Sequence, residues 1–246
     1  MKKTVILCGV LLAMSASLAS AAGVNLAWNE CVGGGGLHDM TFNCATNSNA
    51  SSHTFVASFR APAGIGSYVS NEGTVELQSN STPLPAWWAL KGTGQCRTGA
   101  AIADANFVSG PFGCTDVFLG AASGSLASYN VGFLQPNRGR MNLVFAVGSA
   151  GATALEPETE YYAFKVQILN TKTVGTGSCA GCSDGVCIVY TKCNVVQPNG
   201  SPGGNVALTN PAESNFCTWN GPTAATCTGA TPTKNTTWGS IKSLYR

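Results

Sequence analysis

Apolar and polar residues alternate with a period of two along most of this chain. In residues 54–60, Phe55, Ala57 and Phe59 share one face while Thr54, Ser58 and Arg60 share the other. Val75 and Leu77 alternate with Thr74, Glu76 and Gln78, and Tyr129, Val131 and Phe133 alternate with Ser128, Asn130 and Gly132. Leu143, Phe145 and Val147 make another such face, as do Tyr162, Phe164, Val166 and Ile168. Each run has the signature of a strand buried on one side. Gly, Pro, Asn and Asp punctuate the runs at residues 33–36, 71–73, 136–139, 184–185 and 198–204. No stretch before residue 235 carries a sustained helical stripe. The pattern predicts an all-β, two-sheet antiparallel sandwich, with residues 22–221 as one domain.

The two ends break the pattern. Lys2 and Lys3 precede an apolar run of about ten residues, too short to span a bilayer, and Ala19-Ser20-Ala21 is a small-x-small cleavage site. Residues 1–21 are therefore expected to be an export signal of bacterial type, with Cys8 inside its apolar run. Residues 222–234 are rich in Thr, Ala, Pro and Gly and are expected to be a linker. Over 235–246, Trp238, Ile241, Leu244 and Tyr245 form one stripe of a short amphipathic helix, with Lys242 and Arg246 at its C-terminal end. A helix this short must dock on something, either its own sandwich or a partner.

The chain has 13 Lys+Arg against 11 Asp+Glu. Removing Lys2 and Lys3 leaves 11 of each, so the exported chain is neutral. With 10% charged residues it lacks the cationic surface that nucleic-acid binding requires. A neutral chain also lacks the repulsion that keeps proteins apart, which favours self-association or attachment to a surface.

Leu155-Glu156-Pro157-Glu158-Thr159-Glu160-Tyr161 resembles the L-x-P-x-T-x-Y run that enters strand F of fibronectin type III domains. The resemblance covers about a dozen residues. It implies an immunoglobulin-like sandwich in which Tyr161 pins its loop as a corner. Here the apolar phase falls on Tyr162, Phe164, Val166 and Ile168, one residue out of step with Tyr161.

Ten cysteines follow the signal: Cys31, Cys44, Cys96, Cys114, Cys179, Cys182, Cys187, Cys193, Cys217 and Cys227. An even count in an exported chain favours disulfides over a zinc knuckle or a redox pair at Cys179–Cys193. Cys31 with Cys44, and Cys96 with Cys114, each close a moderate loop. Cys187 and Cys193 lie too far apart on one strand to bond each other. If Asp184-Gly185 turns a hairpin, Cys182 faces Cys187. Cys193 would then join Cys217 and Cys179 would join Cys227, with Cys217–Cys227 as the rival pair.

Three constellations could carry chemistry. Trp87 and Trp88 are adjacent, so on a strand one ring points outward and could stack on a sugar; the competing reading covers both under Pro83-Leu84-Pro85. Glu156, Glu158 and Glu160 could share a calcium ion, against a solvated acidic edge. His38-Asp39 beside the glycines at 33–36 could be half of a hydrolase site, although the chain lacks a G-x-S-x-G elbow. The sequons at Asn49, Asn80, Asn199 and Asn235 are read as turn chemistry. No cofactor or metal is expected.

The leading expectation is a secreted, non-enzymatic structural or surface-interaction protein, extracellular, at the cell surface or periplasmic. It self-associates or attaches through Trp238, Ile241, Lys242, Leu244, Tyr245 and Arg246. The alternative is a carbohydrate-binding or adhesive module using Trp87 or Trp88 on a polysaccharide. A secreted hydrolase ranks below both. No transmembrane segment is expected after the signal.

Overall fold

A computed structural model describes residues 22–50, 53–108, 112–220 and Cys227. Among these described residues eleven strands form two sheets: β1 Gly23–Trp28, β2 Asp39–Met40, β3 Thr54–Arg60, β4 Ser70–Ser79, β5 Ala101–Asp104, β6 Ser123–Val131, β7 Arg138–Ala146, β8 Glu160–Ile168, β9 Val186–Val196, β10 Val206–Leu208 and β11 Phe216–Trp219. The smaller sheet has the order β1-β3-β8-β5. The larger runs β2-β11-β9-β4-β7-β6, with β10 also on β9. One pair departs from the expected antiparallel arrangement: β2 runs parallel to β11. Sheets of four and seven strands are larger than the four-and-three layout of an immunoglobulin constant-type sandwich, which accounts for the length of this chain. The expected signal at 1–21 and the motif at 235–246 lie outside the described residues, as does the linker apart from Cys227.

The predicted alternation places the core. Phe55, Ala57 and Phe59 on β3, Val75 and Leu77 on β4, and Leu143 and Phe145 on β7 are buried between the sheets. Phe164 crosses the core onto the bare backbone of Gly73 on β4. A Cβ there would lie 2.3 Å from the ring, so glycine sets how closely the two sheets approach. The strand expected to continue through Phe133 ends at Val131, which is exposed. Beyond it the chain turns at Gly132, and the Phe133 ring stacks on Arg140.

Three single-residue bulges adjust the phase of the strands. On β8, Ala57 pairs with Phe164 but Ser58 pairs with Tyr162, leaving Ala163 over. On β9, Thr191 is the extra residue between Tyr190 and Lys192. On β6, Ala127 is extra between Leu126 and Ser128. Side chains serve the backbone at each bulge. Asn71 Nδ2 donates to the Ala163 carbonyl (3.2 Å), Thr191 Oγ1 donates to the Thr74 carbonyl (3.2 Å), and Lys91 Nζ donates to the carbonyls of Leu126 and Ala127.

The disulfides are Cys31–Cys114, Cys44–Cys182, Cys96–Cys179 and Cys187–Cys227. None of the expected pairs forms. Three of the bonds span 83, 138 and 83 residues, so they clamp loops distant in sequence rather than close local ones, and longer closures restrict the unfolded chain more. Residues 183–185 do not make a two-residue hairpin. Cys182 instead packs into the core, where it reaches Cys44. Cys193 and Cys217 are buried free thiols, correcting their assignment as a disulfide. Cys217 pairs in register with Ile188, five residues from Cys193, or about 17 Å along β9. The Thr191 bulge also puts Cys187 and Cys193 on opposite faces. Cys193 enters the main core, while Cys187 joins Val189, Phe216 and Cys227 in a small cluster apart from it.

Candidate functional site

The two adjacent tryptophans are not on a strand. Ala86–Trp88 is a single 3-10 turn, whose side chains do not alternate, and both rings are fully buried. Trp87 and Trp88 pack on Trp219 with ring centroids 4.8 and 5.4 Å away, and Trp219 in turn packs on Trp28 at 6.1 Å. Neither ring is available to a sugar, which corrects the carbohydrate-contact expectation. Arg97 is buried with them. Its guanidinium lies 3.5 Å over the Trp87 ring and donates to the carbonyls of Trp87 (2.8 Å), Thr171 (2.8 Å) and Leu169. Desolvation lowers its pKa to about 9, so it stays charged at neutral pH, held by carbonyl dipoles and an aromatic face.

His38 is occupied by backbone. Nδ1 lies 2.9 Å from the Phe216 carbonyl and Nε2 lies 2.8 Å from the Gly34 carbonyl. Asp39 accepts from Thr218 Oγ1 at 2.8 Å, so the two side chains do not make the dyad that a hydrolase site would need. Ser214 Oγ is 3.5 Å from Nδ1, farther than the carbonyl that already faces that nitrogen.

The acidic triplet is dispersed. Glu160 is held by Asn25 Nδ2 (3.0 Å) and by Arg60 Nε (3.2 Å), while Glu156 and Glu158 are exposed. Among the described residues no group of three or more His, Cys, Asp or Glu could hold a metal ion. Tyr161 does pin its loop, because the Glu156 N–H donates to its hydroxyl oxygen at 2.8 Å. Trp238, Ile241, Lys242, Leu244, Tyr245 and Arg246 lie outside the described residues. Among those described, no helix is long and apolar enough to cross a membrane.

Sequence reasoning missed an asymmetry between the two sides of the sandwich. On one side, β1 is closed by the segment leading into β11. Val24 N–H donates to Asn210 O (2.9 Å), Ala212 N–H to Val24 O (3.0 Å), and Leu26 N–H to Ser214 O (2.9 Å). Trp28 N–H donates to Leu37 O at 2.8 Å. On the other side, β5 ends the small sheet and β6 ends the large one, so each has a strand neighbour on one flank only. Between them runs a groove of about 290 Å³, whose lining includes Leu90, Lys91, Ala101, Ala103, Ser125 and Leu126. Ala101 and Ala103 face the core opposite Ile168 and Val166, so small side chains roof the interior here.

The open side is poor in charge. From Val117 to Asn137 the chain has no Asp, Glu, Lys or Arg, and that stretch contains all of β6. Edge strands are usually guarded by charge, proline or a cover. Along β6 the guard is Lys91 at the Ala127 bulge. Ile102, Val108, Leu119, Val131 and Leu134 are exposed on β5, on β6 or on the turns beside them. Leu119 and Leu134 have φ of +51° and +62°, a conformation that bulky residues rarely adopt. The uncharged stretch was the readable signal.

No family model matches the chain, and no curated protein matches its sequence. Among solved structures, a cohesin module from a Clostridium perfringens family 33 glycoside hydrolase aligns at 11% identity and TM-score 0.33, over 77% of this chain and 97% of its own. A type I cohesin from Pseudobacteroides cellulosolvens aligns at 8% identity and TM-score 0.30, over 80% and 90%. A scaffoldin B cohesin from Acetivibrio cellulolyticus, solved with a dockerin, aligns at 11% identity and TM-score 0.25, over 76% and 98%. At scores this low the architecture of the chain rests on its own strand pairing.

Proposed function

We propose that this chain is a secreted, non-enzymatic interaction protein that binds through the open side of its sandwich. The observation that carries the reading is the pair of sheet edges, β5 and β6, that flank an apolar groove, with no charged residue on β6 and only Lys91 over the middle of its edge. Unpaired N–H and C=O groups beside exposed apolar side chains are what strand addition uses, with backbone bonds giving affinity and pockets giving selectivity. A binding role is further supported by the placement of the residues with chemical potential. His38 is taken up by two carbonyls, Asp39 by Thr218, and Glu160 by Asn25 and Arg60.

Export supports the same reading. Disulfides persist in oxidising compartments, and three of the four fasten loops whose movement would disturb the sandwich. Cys187–Cys227 fastens the start of the C-terminal segment to the same side of the large sheet as Val189 and Phe216.

The test uses Ile102→Asp combined with Ser125→Arg, both exposed on the open side. In cells that secrete the protein, the unaltered chain is expected at the cell surface or in a complex heavier than the exported chain alone. The double variant is expected free in the medium. An identical distribution of the two proteins overturns the reading.

A further inference from the structure

On the closed side of the sandwich, one side chain ties the turn before β2 to β11. We propose that His38 is a pH-sensitive clasp, which fastens that turn with two bonds when its ring is protonated and with one when the ring is neutral. This inference does not depend on the binding role proposed above.

Each ring nitrogen faces a carbonyl oxygen, Nδ1 that of Phe216 at 2.9 Å and Nε2 that of Gly34 at 2.8 Å. A carbonyl oxygen only accepts. A neutral imidazole has one N–H and one lone pair, whereas the imidazolium has two N–H groups. Only the imidazolium donates to both carbonyls, and a neutral ring must turn a lone pair on one of them. Ser214 supplies the second state. Its Oγ lies 3.5 Å from Nδ1, near enough for the hydroxyl to donate to that lone pair once the Nδ1 proton has gone. Nε2–H then still holds Gly34, while the bond to Phe216 is lost.

The two carbonyls belong to separate pieces of the fold. Gly34 sits in the 3-10 turn Gly33–Gly35, and Phe216 opens β11. The turn is pressed close to its surroundings. A Cβ on Gly34 would lie 2.3 Å from Glu213 Cβ and 2.7 Å from Asn25 Oδ1, and one on Gly33 would lie 2.8 Å from the Glu160 carboxyl carbon. His38 adds a side-chain fastening to two backbone bonds here, Thr218 N–H to His38 O (2.7 Å) and Trp28 N–H to Leu37 O (2.8 Å). The ionisable groups around it come from several elements. Asp39 follows it in sequence, and Glu30 accepts the Leu37 N–H. Glu213 and Glu160 border the turn, and Arg60 pairs with both. β11 contributes the Cys217 thiol, which burial keeps protonated. An imidazole changes charge between about pH 5 and 8. Carboxylates as a class titrate below that range and guanidinium groups above it. The clasp is therefore tighter on the acid side and loses a bond as the pH rises.

The experiment is amide hydrogen exchange of the purified, oxidised protein at about pH 5.5 and about pH 8.5, with rates corrected for the intrinsic effect of pH. Protection of the Gly35, Gly36, Leu37 and Thr218 amides should fall by roughly tenfold from the lower pH to the higher. The fall should be absent in His38→Gln, whose side chain does not titrate. It should be steeper in Ser214→Ala, which lacks the hydroxyl that serves the neutral ring. Heteronuclear NMR of the His38 ring reads the two states in the unaltered protein and needs no variant to fold. Both ring nitrogens should carry protons at the lower pH, and Nε2 alone at the higher. Protection that does not change with pH, an equal change in His38→Gln, or a single ring proton at the lower pH overturns the clasp.

Discussion

Tyr161 and Phe164 both face the core side of β8 although they are three residues apart, because Ala163 bulges out between them. Tyr161 packs on Phe59 (5.9 Å) and Phe164 on Tyr190 (5.3 Å), while Tyr162 turns to the opposite face against Phe107. The out-of-phase tyrosine is thus brought into phase by one extra residue. Asn71 holds the bulge, donating to Ala163 O and to the Tyr68 hydroxyl oxygen (3.0 Å). Asn71→Leu removes both bonds in a fully buried place and should cost about 2–3 kcal/mol. Urea unfolding should show it as a lower midpoint with an unchanged slope. A loss below about 0.5 kcal/mol would mean that the bulge does not depend on Asn71.

Arg97 holds the loop after the paired tryptophans. Arg97→Met keeps bulk but leaves the carbonyls of Trp87, Leu169 and Thr171 without their donor, and should lower stability by about 3 kcal/mol. Arg97→Lys supplies one point charge in place of a planar fork and should recover only part of that. Thermal unfolding followed by tryptophan near-UV dichroism distinguishes the three proteins. Equal midpoints would show that the guanidinium is dispensable.

Asp116 organises the turn that presents Leu119. Its carboxylate accepts the N–H groups of Phe107 (3.0 Å), Phe118 (2.9 Å) and Gly120 (3.0 Å). Asp116→Ala strands three donors and should make the segment from 105 to 120 the first site of limited proteolysis. An unchanged digestion pattern would contradict this role.

Burial pushes the Cys193 thiol up from 9.0 to about 12, and Cys217 well above its ordinary value. Thiolates are the reactive form, so iodoacetamide at neutral pH should modify neither cysteine in the folded protein and both after denaturation. Mass mapping should then find two alkylated thiols and four disulfides. Labelling of either thiol in the native state would contradict its burial.

The same shift fixes an alkaline limit. A group raised in the folded state keeps its proton there after the unfolded chain has lost its own, so its contribution is full below the unfolded value and declines above it. Cys193 gives a window from pH 9 to about 12, and buried Tyr68, Tyr129 and Tyr190 are raised in the same direction. Arg97, lowered to about 9, acts in the opposite sense over this window, but Cys193, Cys217 and the three tyrosines outnumber it, so above the histidine range stability should be flat up to about pH 8.5 and fall from pH 9. Stability that rises across this window would contradict the assignment.

β7 was legible in the sequence because its burial alternates along the strand, and β3 because Thr54, Ser58 and Arg60 mark a polar side even though Thr54 and Ser58 are buried. β1 was not, since Gly23–Trp28 is buried on both faces and has no polar side to reveal its period. Trp87 and Trp88 were misplaced because a 3-10 turn breaks the alternation that a strand would impose. The disulfide partners were illegible for a different reason. Cys31 finds Cys114, and Cys96 finds Cys179, only after the loops are brought together by the sandwich. The open side could be read in part, from the uncharged run of Val117–Asn137, but that β5 and β6 both end their sheets depends on strand order, which spacing alone does not carry.

Amide hydrogen exchange across Ser123–Val131 tests the central claim most directly, comparing protein taken intact from the surface of secreting cells with the purified chain at low concentration. If the open side is where this protein binds, the outward amides of β6 exchange slowly in the assembled material and quickly in the dilute chain, while those of β4 and β9 are slow in both. Equal, fast exchange of β6 in both samples would contradict it.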